Sequence, residues 1–122
     1  MLRRSLLPLV LVVIALAVAA TASARPVKSP GLVGEVGPAF SVEVKLNGKD
    51  LKTIKAGTYM IKVEDKASIH NFHLFGNGVN KSTTVPFVGD RTWRITLKPG
   101  TYTYQCDPHA SSGMKGTFKV TR

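Results

Sequence analysis

Three side chains that suit copper crowd one short run, Cys106-Asp107-Pro108-His109-Ala110-Ser111-Ser112-Gly113-Met114. Thiolate, imidazole and thioether are soft or borderline donors that bind copper in both of its oxidation states. Two imidazoles and a thiolate in a trigonal plane, with a weak axial thioether, make a site that passes single electrons. The second imidazole must come from upstream, where His70 and His73 stand. Cys106 is the lone cysteine, so it cannot close an internal disulfide. It is a buried spare, an intermolecular bridge, a reactive thiol or a metal ligand, and its neighbours favour the ligand.

Short strands must position these groups. Phe40, Val42, Val44 and Leu46 alternate with polar partners and end at Asn47-Gly48, a hairpin signal. Tyr59, Ile61 and Val63 share one face of a run from Thr58 to Glu64, and Ser68 to Phe75 reads as the next strand. A looser segment spans 79–90. Trp93, Ile95 and Leu97 then alternate, Pro99-Gly100 turns, and Tyr102, Tyr104 and Cys106 alternate in their turn, with Phe118 and Val120 in a last strand. No stretch after the N-terminus has a helical period. Strands at this spacing, separated by turn signals, predict an all-β sandwich. Tyr102, Tyr104 and Cys106 share a face, so core-facing tyrosines put the thiol at the dry end of a strand. His70 and His73 lie an odd number apart, so on one strand they point to opposite faces. His70 shares its face with Phe72 and Leu74, and His73 with Ile69 and Phe75, so alternation leaves the choice open.

The chain opens with Arg3-Arg4, an apolar run from Leu6 to Ala20, and Ala22-Ser23-Ala24. That order is a cleavable signal peptide over residues 1–24, and the run is shorter than the roughly 20 residues that span a bilayer. An exported protein, periplasmic or extracellular and either free or bound to a surface, is therefore expected. Residues 25–38 hold Pro26, Pro30, Gly31, Gly34, Gly37 and Pro38 and read as a flexible leader, leaving 39–122 as the domain.

The net charge of +10 is spread along the chain, with lysines alternating with apolar residues as on a solvated sheet face. No block resembles a nucleic-acid motif, so no nucleic-acid partner is expected. Such a balance speeds association with anionic partners, either acidic redox proteins or an anionic membrane surface. A monomer meeting its partners transiently is the expected state.

Gly100-Thr101-Tyr102-Thr103-Tyr104-Gln105-Cys106-Asp107-Pro108-His109, followed by Gly113-Met114-Lys115-Gly116, resembles the ligand segment of cupredoxins of the plastocyanin/azurin type. His70-Asn71 resembles the upstream pair that supplies that family's first imidazole. The resemblance extends over about 39–121 and is sharpest over 100–120. It implies a Greek-key β-sandwich holding one copper ion that cycles between Cu(I) and Cu(II). It also implies His70, Cys106, His109 and Met114 as the ligands, with His73 at the surface or behind them. By the same resemblance Asn71 hydrogen-bonds across to the ligand loop, and the His109 edge faces solvent within a small apolar rim. Asp107 either caps the loop or faces water. Pro108 lacks an N–H, so it removes one possible donor to the Cys106 sulfur and stiffens the loop. The acidic docking patch of photosynthetic plastocyanins has no counterpart here.

Two other classes compete with a one-electron carrier. A copper-delivery protein would be expected to expose clusters of methionines or histidines, and only Met60 and Met114 follow the signal. Copper enzymes built from such domains need further centres rich in histidine, and the chain has three histidines in all. No enzyme is expected.

Overall fold

The computed structural model describes residues 17–21 and 26–122. Its strands are β1 (Val27–Val36), β2 (Val42–Leu46), β3 (Lys49–Asp50), β4 (Thr53–Lys55), β5 (Gly57–Asp65), β6 (His73–Gly76), β7 (Val79–Ser82), β8 (Gly89–Leu97), β9 (Gly100–Gln105) and β10 (Lys115–Thr121). They form two five-stranded sheets, ordered β3-β2-β1-β5-β8 and β4-β10-β9-β6-β7. Two pairs, β1 with β5 and β10 with β4, run parallel, and the remaining neighbours are antiparallel.

Alternation explains the layers. In β5 the side chains of Tyr59, Ile61 and Val63 are buried while Lys62 is exposed, and in β8 Ile95 and Leu97 are buried while Arg94 and Thr96 are not. Val36, Val44 and Ile61 of one sheet meet Leu74, Tyr102 and Phe118 of the other in a single core. Tyr102 stacks on Phe118 with ring centroids 5.5 Å apart. Its hydroxyl, buried with the ring, accepts from the N–H of Lys98 at 3.0 Å and donates to the carbonyl of Asn77 at 2.9 Å. Asn47 and Gly48 both have positive φ and join β2 to β3 in the hairpin that the Asn-Gly signal predicts.

Three expectations need correction. The flexible leader expected over 25–38 is instead largely β1, an internal strand of its sheet with Leu32 and Val36 buried. Its glycines read as loop signals, yet Gly34 is there because the Phe72 ring packs where a Cβ would stand. The folded domain therefore begins well before residue 39. Second, the strand expected over Ser68 to Phe75 starts only at His73, and the residues between β5 and β6 form a loop. His70, Asn71 and Phe72 are all buried, which a strand of alternating faces cannot achieve. Third, the looser segment expected over 79–90 contains β7 and the start of β8. Of the expected signal peptide, residues 1–16 and 22–24 lie outside the described residues. Among the described residues no helix is long and apolar enough to cross a membrane.

Candidate metal centre

Cys106 follows the end of β9 on the face that carries buried Tyr102, and its side chain is wholly buried. The chain then turns through a short 3₁₀ helix, Asp107–Ser112, with Pro108 in its first turn, where a missing N–H costs nothing. The His109 N–H donates to the Cys106 carbonyl at 3.1 Å, and the Gly113 N–H to the Ala110 carbonyl at 3.1 Å. The returning chain is tied back twice. The Cys106 N–H donates to the Met114 carbonyl at 3.0 Å, and the Met114 N–H to the His109 carbonyl at 3.3 Å. Met114 is thus fixed beside Cys106 by its backbone, with its side chain buried.

The loop between β5 and β6 brings His70 to the same point. His70 Nδ1 lies 3.7 Å from Cys106 Sγ, His109 Nδ1 lies 3.4 Å from it, and the two ring nitrogens are 3.1 Å apart. His70 and Cys106 are buried and His109 is half-buried. A triangle of one sulfur and two imidazole nitrogens, closed to water on two of its corners, has the donor chemistry of a copper site. Each imidazole turns its Nδ1 inward, which leaves His70 Nε2 buried without a hydrogen-bond partner. His73 does not join the triangle.

A second layer of polar contacts holds the first. The Asp107 N–H donates to Asn71 Oδ1 at 2.7 Å, and Asn71 Nδ2 donates to Asp107 Oδ2 at 2.9 Å and to the Thr83 carbonyl at 3.3 Å. Gln105 Nε2 donates to Asp107 Oδ1 at 2.9 Å, and His73 Nδ1 lies 2.8 Å from the same oxygen. His73 Nε2 lies 2.6 Å from Asn80 Oδ1, so the ring bridges the ligand loop and β7. Burial pushes the Asp107 carboxyl up, but the hydrogen bonds from Gln105, Asn71 and His73 outweigh it and hold the group below its ordinary value.

Two residues escaped the sequence reading. Phe40, expected in a strand with Val42, precedes β2 and is 64% exposed. Its ring lies edge-on to both imidazoles, with centroids 5.2 Å from His70 and 4.7 Å from His109. Asp65 ends β5 with its carboxylate buried and accepts a hydrogen bond from the Thr83 hydroxyl at 2.7 Å. A signal for it existed, since Asp65 continues the apolar face of Tyr59, Ile61 and Val63. Phe40 offered none, because its partners come from distant segments.

The copper-binding proteins of the plastocyanin/azurin family provide a family model that matches residues 42–121. Amicyanin-alpha of Methylorubrum extorquens is 37% identical over 90 residues, covering 68% of this chain and 74% of the relative. Among solved structures, reduced rusticyanin superposes with a TM-score of 0.56 at 23% identity, covering 82% of each chain. Rusticyanin from Thiobacillus ferrooxidans gives a TM-score of 0.53 at 22% identity, covering 81% of this chain and 79% of the other. At those identities the two rusticyanin structures speak for the fold alone.

Proposed function

Because the chain belongs to the copper-binding proteins of the plastocyanin/azurin family, we propose that His70 Nδ1, Cys106 Sγ and His109 Nδ1 would hold its one copper ion, with the Met114 thioether as a fourth, weaker donor. The protein is an electron-transfer copper protein. The observation that carries the ligand assignment is the triangle of donors with sides of 3.1, 3.4 and 3.7 Å. Copper bound there supplies a one-electron couple between Cu(I) and Cu(II).

The chain's own residues do the rest. Binding a metal requires Cys106 as thiolate and both imidazoles neutral, so loading releases a proton from the thiol. The hydrogen bonds that tie Cys106, His109 and Met114 to one another keep the donors in place through a change of charge. Little rearrangement then accompanies each electron. His109 is the half-buried donor, and Phe40 leans on its ring from the solvent side. Electrons enter and leave by that edge, where a partner docks briefly and nothing is chemically transformed.

The partners are redox proteins with acidic surfaces. Lys81, Arg94 and Lys98 line an open cleft of about 480 Å³ between β7 and β8, and no carboxylate lines it. Such a concentration of like charge chiefly raises association rates and makes them sensitive to salt. The N-terminal pattern of basic start, apolar run and Ala-x-Ala supports export to a periplasmic or extracellular site, where the protein acts as a monomer.

Voltammetry of the copper-loaded protein, paired with challenge by a weak chelator, tests this function. A reversible one-electron wave and retention of copper are expected. Ready loss of copper to the chelator would instead assign the protein to copper delivery.

A further inference from the structure

We propose that Asp65 is a positioning residue of the metal centre, whose buried, ionised carboxylate holds the loop carrying His70 and favours Cu(II) over Cu(I). This rests on His70 being a ligand, as proposed above.

The hydrogen bonds of the His70 segment converge on Asp65 through two neighbours. The first is Thr83. Its hydroxyl donates to Asp65 Oδ2 at 2.7 Å and accepts from the Phe72 N–H at 2.8 Å. The Thr83 N–H donates to the Phe72 carbonyl at 3.0 Å, and the Thr83 carbonyl accepts from Asn71 Nδ2 at 3.3 Å. The second neighbour is Ala67. Its N–H donates to Asp65 Oδ1 at 3.4 Å, and its carbonyl accepts from the His70 N–H at 3.2 Å. One carboxylate thus fixes residues on both sides of the imidazole.

Its charge has a consequence beyond packing. Asp65 is 2% exposed, and among the described residues no cation pairs with it. The adjacent Lys66 reaches Glu35 and Glu64 instead, at 2.7 and 3.9 Å. A buried carboxylate with only a hydroxyl and an amide for partners keeps an unsatisfied attraction for positive charge. Its field is weakly screened at a buried site, behind a loop whose hydrogen bonds run from the carboxylate through Ala67 to the His70 N–H. The charge that changes during function is the extra positive charge of Cu(II). The carboxylate stabilises that state and lowers the reduction potential. A merely structural plug would make the same hydrogen bonds, yet removing its charge at constant shape would leave the potential alone.

Four variants and two readouts separate these roles. Asp65→Asn keeps the shape and removes the charge. The ratio of Cu(I) to Cu(II) affinity is expected to rise about tenfold, a potential higher by ~59 mV for one electron, with the copper–thiolate band retained. Thr83→Val takes away the hydroxyl that partly satisfies the carboxylate, leaves more of its charge uncompensated, and is expected to lower the potential. Thr83→Ser keeps that hydroxyl and is expected to match the parent. In the metal-free protein, Asp65→Ala is expected to speed hydrogen exchange at the Phe72 amide at least tenfold. An unmoved potential in Asp65→Asn with the band intact overturns the electrostatic role, and where that variant does not fold, an unmoved potential in Thr83→Val does so. Unchanged exchange at Phe72 overturns the positioning role. Absence of the band in the parent would overturn the ligand assignment, and this inference with it.

Discussion

Asn71 and Asp107, from segments 36 residues apart, exchange a reciprocal pair of hydrogen bonds of 2.7 and 2.9 Å. One residue follows His70 and the other follows Cys106, so the pair sets the distance between the two loops that deliver the donors. The second bond of Asn71 Nδ2, to the Thr83 carbonyl, extends the tie to the chain just beyond β7. The two loops of the metal centre are thus joined by a polar clasp.

Asn71→Ala removes that clasp and leaves the part-buried Asp107 N–H unpaired. The metal-free protein is expected to lose about 1–3 kcal/mol of stability. Copper affinity is expected to fall about 10- to 100-fold, because neighbours that orient ligands contribute on that scale. Urea unfolding of the metal-free protein and competition for Cu(I) against a chelator of known affinity read the two effects.

His70 and His73 differ in what their loss does. His70→Ala is expected to abolish the copper–thiolate band, whereas His73→Ala keeps it and loosens only the bridge from Asp107 to Asn80. Visible spectra of the two copper-loaded variants decide the assignment, and the opposite pattern would contradict it.

Much of the architecture was legible in the sequence. The alternation in β5, β8 and β9, the Asn47-Gly48 hairpin and the placement of Cys106 all follow from a period of two on a half-buried sheet. The run from Cys106 to Met114 carried the donor types, and the His70-Asn71 pair carried the clasp. What the sequence hid depends on contacts between distant segments. Gly34 looks like a linker residue until the Phe72 ring is seen against it. Alternation left His70 and His73 open because His70, Asn71 and Phe72 lie in a loop that buries all three and has no period to read. Phe40 acquires its place only when two histidines arrive from elsewhere in the chain.

Met114→Gln exchanges the soft thioether proposed as the fourth donor for a hard oxygen or nitrogen donor at a buried position whose backbone is tied to Cys106. Harder donors favour Cu(II), so the variant is expected to keep a copper–thiolate band and to show a lower midpoint potential. Voltammetry beside the parent protein checks the direction.

Asp65 sets a pH dependence of stability in the metal-free protein. Burial pushes its carboxyl above the ordinary 3.8, and the Thr83 hydroxyl, the Ala67 amide and the His70 charge only partly offset this. The unfolded chain therefore gives up this proton first as pH rises. Stability is lost between pH 3.8 and the higher folded value, then levels off. Asp65→Asn is expected to flatten that part of the profile, and Thr83→Val to stretch it towards higher pH. Unfolding midpoints measured from pH 3 to 7 read both effects.

The central claim is that Cys106, His70 and His109 together hold a redox-active copper. One equivalent of Cu(II) added to the protein, followed by ascorbate and then air, tests it by visible absorption. An intense charge-transfer band that bleaches on reduction, returns on oxidation and is missing in Cys106→Ser is the predicted result. A pale complex whose weak absorption is the same in Cys106→Ser would contradict it, since copper would then be bound without the thiolate.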